Sequence, residues 1–228
     1  MKELKEKRPG LLWRPPRDAW VCVIIMALSQ LIIFDGTHPL LAGREAHSLA
    51  TALDLQIPLI PAWVTVYFLA FAFWIATVFW ILSESREYAY RFAGSYLIAL
   101  LISGLIFVAY PVTIQRPEII GSGFFDECMK FLYWIDTPQN LCPSLHVLLS
   151  YFCLRGTMEC QKIPVWYRWL CLAALILISF SVLFVKQHFI ADIAAGILVG
   201  ELSMQLARAV RPERLFSSVE QKLVIRKE

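Results

Sequence analysis

A chain of 228 residues that is 58% hydrophobic and 17% charged, with a formal net charge of +3, departs from soluble domains, in which about 25% of residues are charged. The composition excludes an ordinary soluble domain and identifies a membrane protein. The six cysteines, Cys22, Cys128, Cys142, Cys153, Cys160 and Cys171, lack the paired spacing of a zinc site and the density of a disulfide scaffold. Their spacing leaves open whether Cys128 and Cys142 pair.

Residues 1–18 form a basic, proline-broken tail. Trp20 opens the first apolar run, which ends near Phe34 before Asp35-Gly36-Thr37-His38-Pro39. About 15 residues is short for a span and close to a signal-peptide core, but no small-residue cleavage site follows, so the run reads as an uncleaved anchor. Leu41, Leu49, Leu53 and Ile57 recur at spacings of four and eight, which predicts a helix lying on the membrane surface. Pro58 to Leu82 is the second span and Phe92 to Tyr110 the third. The connection 111–142 holds Arg116-Pro117 and an aromatic segment, Phe124 to Trp134, that reads as an interfacial belt with Tyr133 and Trp134 as anchors. The fourth span starts at Pro143 and ends before Arg155, the fifth covers Trp166 to Val185 and the sixth Phe189 to Val210. In the tail 211–228, Leu215, Val219 and Leu223 share one stripe with basic neighbours, as in a segment lying on the bilayer.

The expected fold is therefore all-α: a polytopic six-transmembrane-helix bundle over residues 19–210, with interfacial helices in the non-cytoplasmic loops. Six spans put both termini on one side. Of the 21 Lys and Arg residues, 17 fall on that side and four, Arg44, Arg116, Lys130 and Lys186, on the other. The positive-inside rule then places both termini in the cytoplasm of a multi-pass cell-membrane protein.

This topology gathers Arg116, Pro143-Ser144-Leu145-His146 and Lys186-Gln187-His188 on the non-cytoplasmic side. His188 and Asp192 are four residues apart, so on a helix the carboxylate faces the imidazole and fixes its tautomer. Pro143 suits a first helical turn, leaving the Ser144 amide and its neighbours free to meet an anion. With Arg116 as a bidentate fork and Lys186 as a point charge, phosphate is the expected ligand. Asp136 and Asn140 either brace the helix start or bind a head group. His38 and His47 lie in the first non-cytoplasmic loop, where exposed histidines are usually incidental.

Arg116-Pro117, Pro143-Ser144-Leu145-His146 and His188-x3-Asp192 resemble, in order, the three signature motifs of the type 2 phosphatidic acid phosphatase superfamily. That superfamily also includes vanadium haloperoxidases and sphingomyelin-synthase-like phosphotransferases, and the likeness covers roughly residues 58–205. It implies a six-helix bundle and metal-independent chemistry through a phosphohistidine. By position, His188 looks like the nucleophile, Asp192 its orienting partner and His146 the acid that protonates the leaving oxygen. Arg116, Ser144 and Lys186 would hold the phosphate oxygens, and Asn140 is a candidate substrate contact on the separate ground given above. The chain departs from the family's phosphatases at Ala109 and Val182, where they carry Lys and Arg, and at Leu145, where they carry Gly. That pattern looks more like the divergent branch of lipid phosphotransferases.

The expected activity is that of a lipid phosphatase or phosphotransferase acting on a lipid phosphate or phosphodiester. No metal, cofactor or nucleic-acid partner is expected. The alternative is a lipid-binding or transport protein that kept the bundle and lost turnover.

Overall fold

The computed structural model describes residues 17–215. Most of the basic N-terminal tail, and the tail stripe beyond Leu215, lie outside the described residues. Among the described residues are eight α-helices: α1 (Arg17–Leu41), α2 (Ala52–Gln56), α3 (Val64–Leu82), α4 (Arg86–Ala109), α5 (Phe124–Ile135), α6 (Leu145–Glu159), α7 (Val165–Phe184) and α8 (Ile190–Val210). A 3-10 turn over Pro61–Trp63 leads into α3.

Among the described residues five helices are long and apolar enough to cross a membrane: α1, α3 with its leading turn, α4, α7 and α8. The segment expected as the fourth span, α6, has 15 residues. At 1.5 Å per residue it spans about 22 Å, short of a hydrocarbon core of about 30 Å. It nevertheless runs from the site end of the bundle to the α6–α7 turn at the other end, and it is the packing centre, with Val147, Leu148, Phe152 and Cys153 fully buried among α3, α7 and α8.

Two expectations for the N-terminal third are corrected. The first apolar helix does not stop at Phe34 but continues through Asp35 and Pro39 to Leu41. Side chains sustain this extension: the Thr37 hydroxyl donates to the carbonyls of Ile33 and Phe34 at 2.8 and 3.0 Å, and Asn140 Nδ2 donates to Phe34 O at 2.8 Å. The segment 40–57 is not one surface helix. Gly43 is left-handed (φ 75°), His47 pairs in extended form with Pro111 and Thr113, and beyond the end of α1 only Ala52–Gln56 coils. Backbone pairing with the chain leaving α4 outweighs the apolar periodicity of that stretch. The aromatic segment 124–134 does form a helix, with Met129 and Leu132 inward and Phe124, Phe131 and Trp134 exposed.

Lipid tails are as apolar as leucine, so helix association in a bilayer depends on close packing and interhelical hydrogen bonds. Tyr88 donates to the Gly156 carbonyl (2.9 Å), Thr77 meets the Tyr167 hydroxyl (2.7 Å), Trp74 Nε1 donates to Ser150 Oγ (2.9 Å) and Tyr151 donates to Glu201 (2.5 Å). Phe92 and Tyr96 of α4 meet the Phe152 ring edge-on at 5.6 and 5.3 Å. At one end of the bundle Glu84 accepts the backbone amides of Gln161 and Lys162, joining the α3–α4 and α6–α7 turns. The opposite end carries the candidate site. All six cysteines, Cys128 and Cys142 included, are free thiols.

Candidate active site

The turn between α7 and α8 is tight: the amides of Gln187 and His188 both donate to the Val182 carbonyl at 2.9 and 3.1 Å, and Lys186 takes a left-handed φ of 55°. This turn aims His188 inward at the start of α8. Asp192, fully buried one turn later, accepts the Phe189 amide at 2.8 Å and presents the same carboxylate oxygen to His188 Nδ1 at 3.4 Å. Cap and orienting partner are one side chain, and with Nδ1 on the carboxylate side the other ring nitrogen, Nε2, is free.

The carbonyl of Asp192 accepts the Ser144 amide at 3.1 Å, which stitches the start of α6 to the start of α8. Ser144 itself is buried and caps α6, its hydroxyl accepting the Val147 amide. Its amide is therefore engaged, where an anion-receptive one was expected. His146, in the first turn of α6, meets His188 edge-to-face with ring centroids 5.6 Å apart. Tyr67 and Trp74 of α3 wall the other side of His146, at 4.6 and 5.6 Å between centroids. Ser150 joins this wall to α6, accepting from Trp74 and donating to the His146 carbonyl at 2.8 Å.

Arg116 lies in the chain between α4 and α5. Its guanidinium sits 4.7 Å from the Tyr133 ring centroid and donates to the Asp136 carbonyl and to Gln187 Oε1. Burial lowers its pKa and the Asp136 carboxylate opposes that shift, so the cation is held at the edge of the site in a poorly solvated place. Asp136 in turn accepts the Tyr67 hydroxyl. Tyr133, expected as an interface anchor, is the platform for Arg116 and donates to the Val185 carbonyl at 3.1 Å.

Asn140 lines the cavity and Lys186 the groove on either side of His188, and both also bond to neighbouring segments. Lys186 Nζ donates to the carbonyls of Ile57 and Asp54, tying the α2 segment to the α7–α8 turn. Asp54 completes this latch: its carboxylate accepts the Ile190 amide at 2.8 Å and so caps α8 from outside. Asn140, left-handed at φ 57° as asparagine tolerates, donates to Phe34 O and Thr37 Oγ1 and holds the end of α1 against the site. His38 and His47 line neither of the two openings described next; His47 stacks on Tyr110 at 4.2 Å.

His188 stands between two openings. A cavity of about 290 Å³ on the His146 side is lined by α1, α3 and the α5–α6 connection, including Asp35, Tyr67, Phe71, Asp136 and Gln187. A groove of about 510 Å³ on the other side is lined by Asp54, Arg116, Lys186 and Phe189. Gln187, Tyr67, Trp74 and Asp54 are parts of the site that no motif in the sequence marks. Gln187 could have been found, since a polar residue next to a candidate nucleophile at a helix start is itself unusual. Tyr67, Trp74 and Asp54 arrive only through folding.

Among the described residues no cluster of His, Cys, Asp and Glu has the geometry of a metal site. A family model described as the PAP2 superfamily matches residues 45–206, which contain every site residue named here outside α1. No curated protein and no solved structure matches the chain.

Proposed function

The chain belongs to the PAP2 superfamily, and from that premise we propose that it is a membrane enzyme that moves a phosphoryl group of a lipid through His188. Membership supports phosphatase or phosphotransferase chemistry on lipid phosphates in a membrane setting. The observation that carries the finer reading is the pair of imidazoles in contact, one of them backed by a buried carboxylate.

In this reading Asp192 holds the His188 tautomer in which the Nε2 lone pair points at phosphorus. The His188–phosphorus bond forms as the bond to the leaving alcohol breaks, and His146, entering protonated, gives its proton to that oxygen. An acceptor hydroxyl, from water or a second alcohol, then attacks phosphorus. Its proton returns to His146 and the bond to His188 breaks. The Arg116 guanidinium stabilises charge on the non-bridging oxygens, as a positioned donor does in other such sites. With 17 of the 21 basic residues on the side of the termini, the site faces the non-cytoplasmic surface of a cell membrane.

Rapid quench with a labelled substrate tests the nucleophile. The label should appear on protein as an acid-labile, base-stable adduct, and His188→Ala should abolish it. His146→Ala should still form the adduct from an activated ester while turning over an alkyl ester poorly, because its role is to supply a proton. Labelling and turnover that survive in folded His188→Ala would refute the mechanism.

A further inference from the structure

Two buried donors beside His188 have no partner among the described residues. Arg116 spends Nη1 on the Asp136 carbonyl and Nη2 on Gln187 Oε1, while its Nε is unmatched. Gln187, 3% exposed, accepts that bond through Oε1 and leaves Nε2 unmatched. The two side chains are bonded to each other, and each lines an opening that His188 also lines, so both unmatched N–H groups belong to the surroundings of His188. A buried donor without an acceptor is costly and requires an explanation.

The charges around the site set what that acceptor is. Among the described residues lining the cavity and the groove, the cations are Arg116 and Lys186, and the carboxylates are Asp35, Asp54 and Asp136. Asp192 adds a carboxylate behind His188. Lys186 is tied to two carbonyls, the Ser144 amide is engaged by Asp192, and Ala109 and Val182 carry no charge. Even with His146 protonated, as in the reading above, the carboxylates outnumber the cations. A phosphomonoester at neutral pH approaches two negative charges on three non-bridging oxygens, whereas a phosphodiester carries one charge on two. A second negative charge here would be buried without compensation.

We propose that the site takes a phosphodiester monoanion in preference to a phosphomonoester dianion, its two non-bridging oxygens accepting from Arg116 Nε and Gln187 Nε2. This rests on the reading of His188 and His146 given above. Gln187 contacts substrate as a neutral donor, supplying direction without the charge that a dianion requires. The second ester substituent stays on phosphorus through the His188 intermediate and passes with it to the acceptor hydroxyl.

Ligand binding tests this separately from turnover. The full chain in detergent, as His188→Ala to keep ligands intact, is titrated with methyl dodecyl phosphate, a diester, and dodecyl phosphate, a monoester, at about pH 8 where the monoester is a dianion. The diester should bind at least about tenfold more tightly, the scale of one charge-assisted interaction. At about pH 5 the monoester becomes a monoanion and the gap should close to about threefold or less. Gln187→Leu should weaken the diester by about tenfold, and Gln187→Lys should strengthen the dianion selectively. Equal or tighter binding of the dianion at the higher pH overturns the proposal, as do unchanged affinities in both Gln187 variants. The phosphoenzyme experiment succeeds or fails independently of these affinities, so the two readings fall separately.

Discussion

Gly196 of α8 lies directly against the backbone of Ser144 at the start of α6: a Cβ on Gly196 would stand 2.7 Å from the Ser144 carbonyl oxygen. Backbone cannot yield as a flexible side chain can, so the hydrogen at this position lets the two helix starts, and with them His146 and His188, come together. A Cβ on Gly200, four residues on, would stand 2.8 Å from the Tyr151 ring, the small-residue spacing of close membrane-helix packing. Gly196→Ala should lower turnover and cost about 1–3 kcal/mol of stability through overpacking. Gly196→Val should be worse in both. Turnover and the unfolding midpoint in detergent check this, and an unchanged midpoint with full activity would contradict the close approach.

Asp192→Asn separates tautomer control from capping. Because one carboxylate oxygen both accepts the Phe189 amide at 2.8 Å and faces His188 Nδ1, an amide oxygen in its place keeps the cap but removes the negative charge that holds the Nδ1–H tautomer. The rate of adduct formation should fall by on the order of 10²-fold or more, as carboxylate-to-amide changes do in triads. The unfolding midpoint should move little. A labelling rate within about threefold of wild type would remove Asp192 from the mechanism.

The latch between α2 and α8 should show in acid. Burial raises the Asp54 carboxyl, but hydrogen bonds from Thr51 and Ile190 outweigh it and hold the group below the usual carboxylate range. A depressed native pKa means the stabilisation is complete above the ordinary value of about 3.9 and is lost as pH falls through the native one. The stability difference between wild type and Asp54→Asn should therefore be constant near neutrality and shrink below about pH 4. A difference that grows towards acid has the wrong sign for this latch.

Lys186 and Asp54 act on the same segment, since Lys186 Nζ bonds the Asp54 and Ile57 carbonyls. Lys186→Met and Asp54→Asn should thus be non-additive, with a coupling of about 0.5 kcal/mol or more in a double-mutant cycle of unfolding. Strict additivity would mean that Lys186 serves the groove it lines, beside Arg116, and not the latch.

Orientation is open to chemical labelling. In a background cleared of native cysteines, Lys130→Cys on α5 and Gln161→Cys in the α6–α7 turn should label from opposite faces, the first from outside intact cells. Labelling of both by an impermeant reagent would overturn the orientation drawn from the basic residues.

The sequence by itself determined the class, the helical segments and the family, because apolar runs, breaker residues and three ordered motifs are local in the chain. His188 and Asp192, four apart, were legible as a pair for the same reason: one helical turn fixes their relation. Helix limits were less legible. The end of α1 depends on Asn140, which lies 106 residues away, and the extended pairing of His47 depends on Pro111 and Thr113. Only the tertiary structure decided that α6 is a short central helix, that the Ser144 amide serves Asp192, that Lys186 holds a loop, and that Tyr67, Trp74 and Gln187 complete the site. Those facts follow from which backbones approach closely enough to bond or pack, and closeness between distant segments has no periodicity in the sequence to announce it.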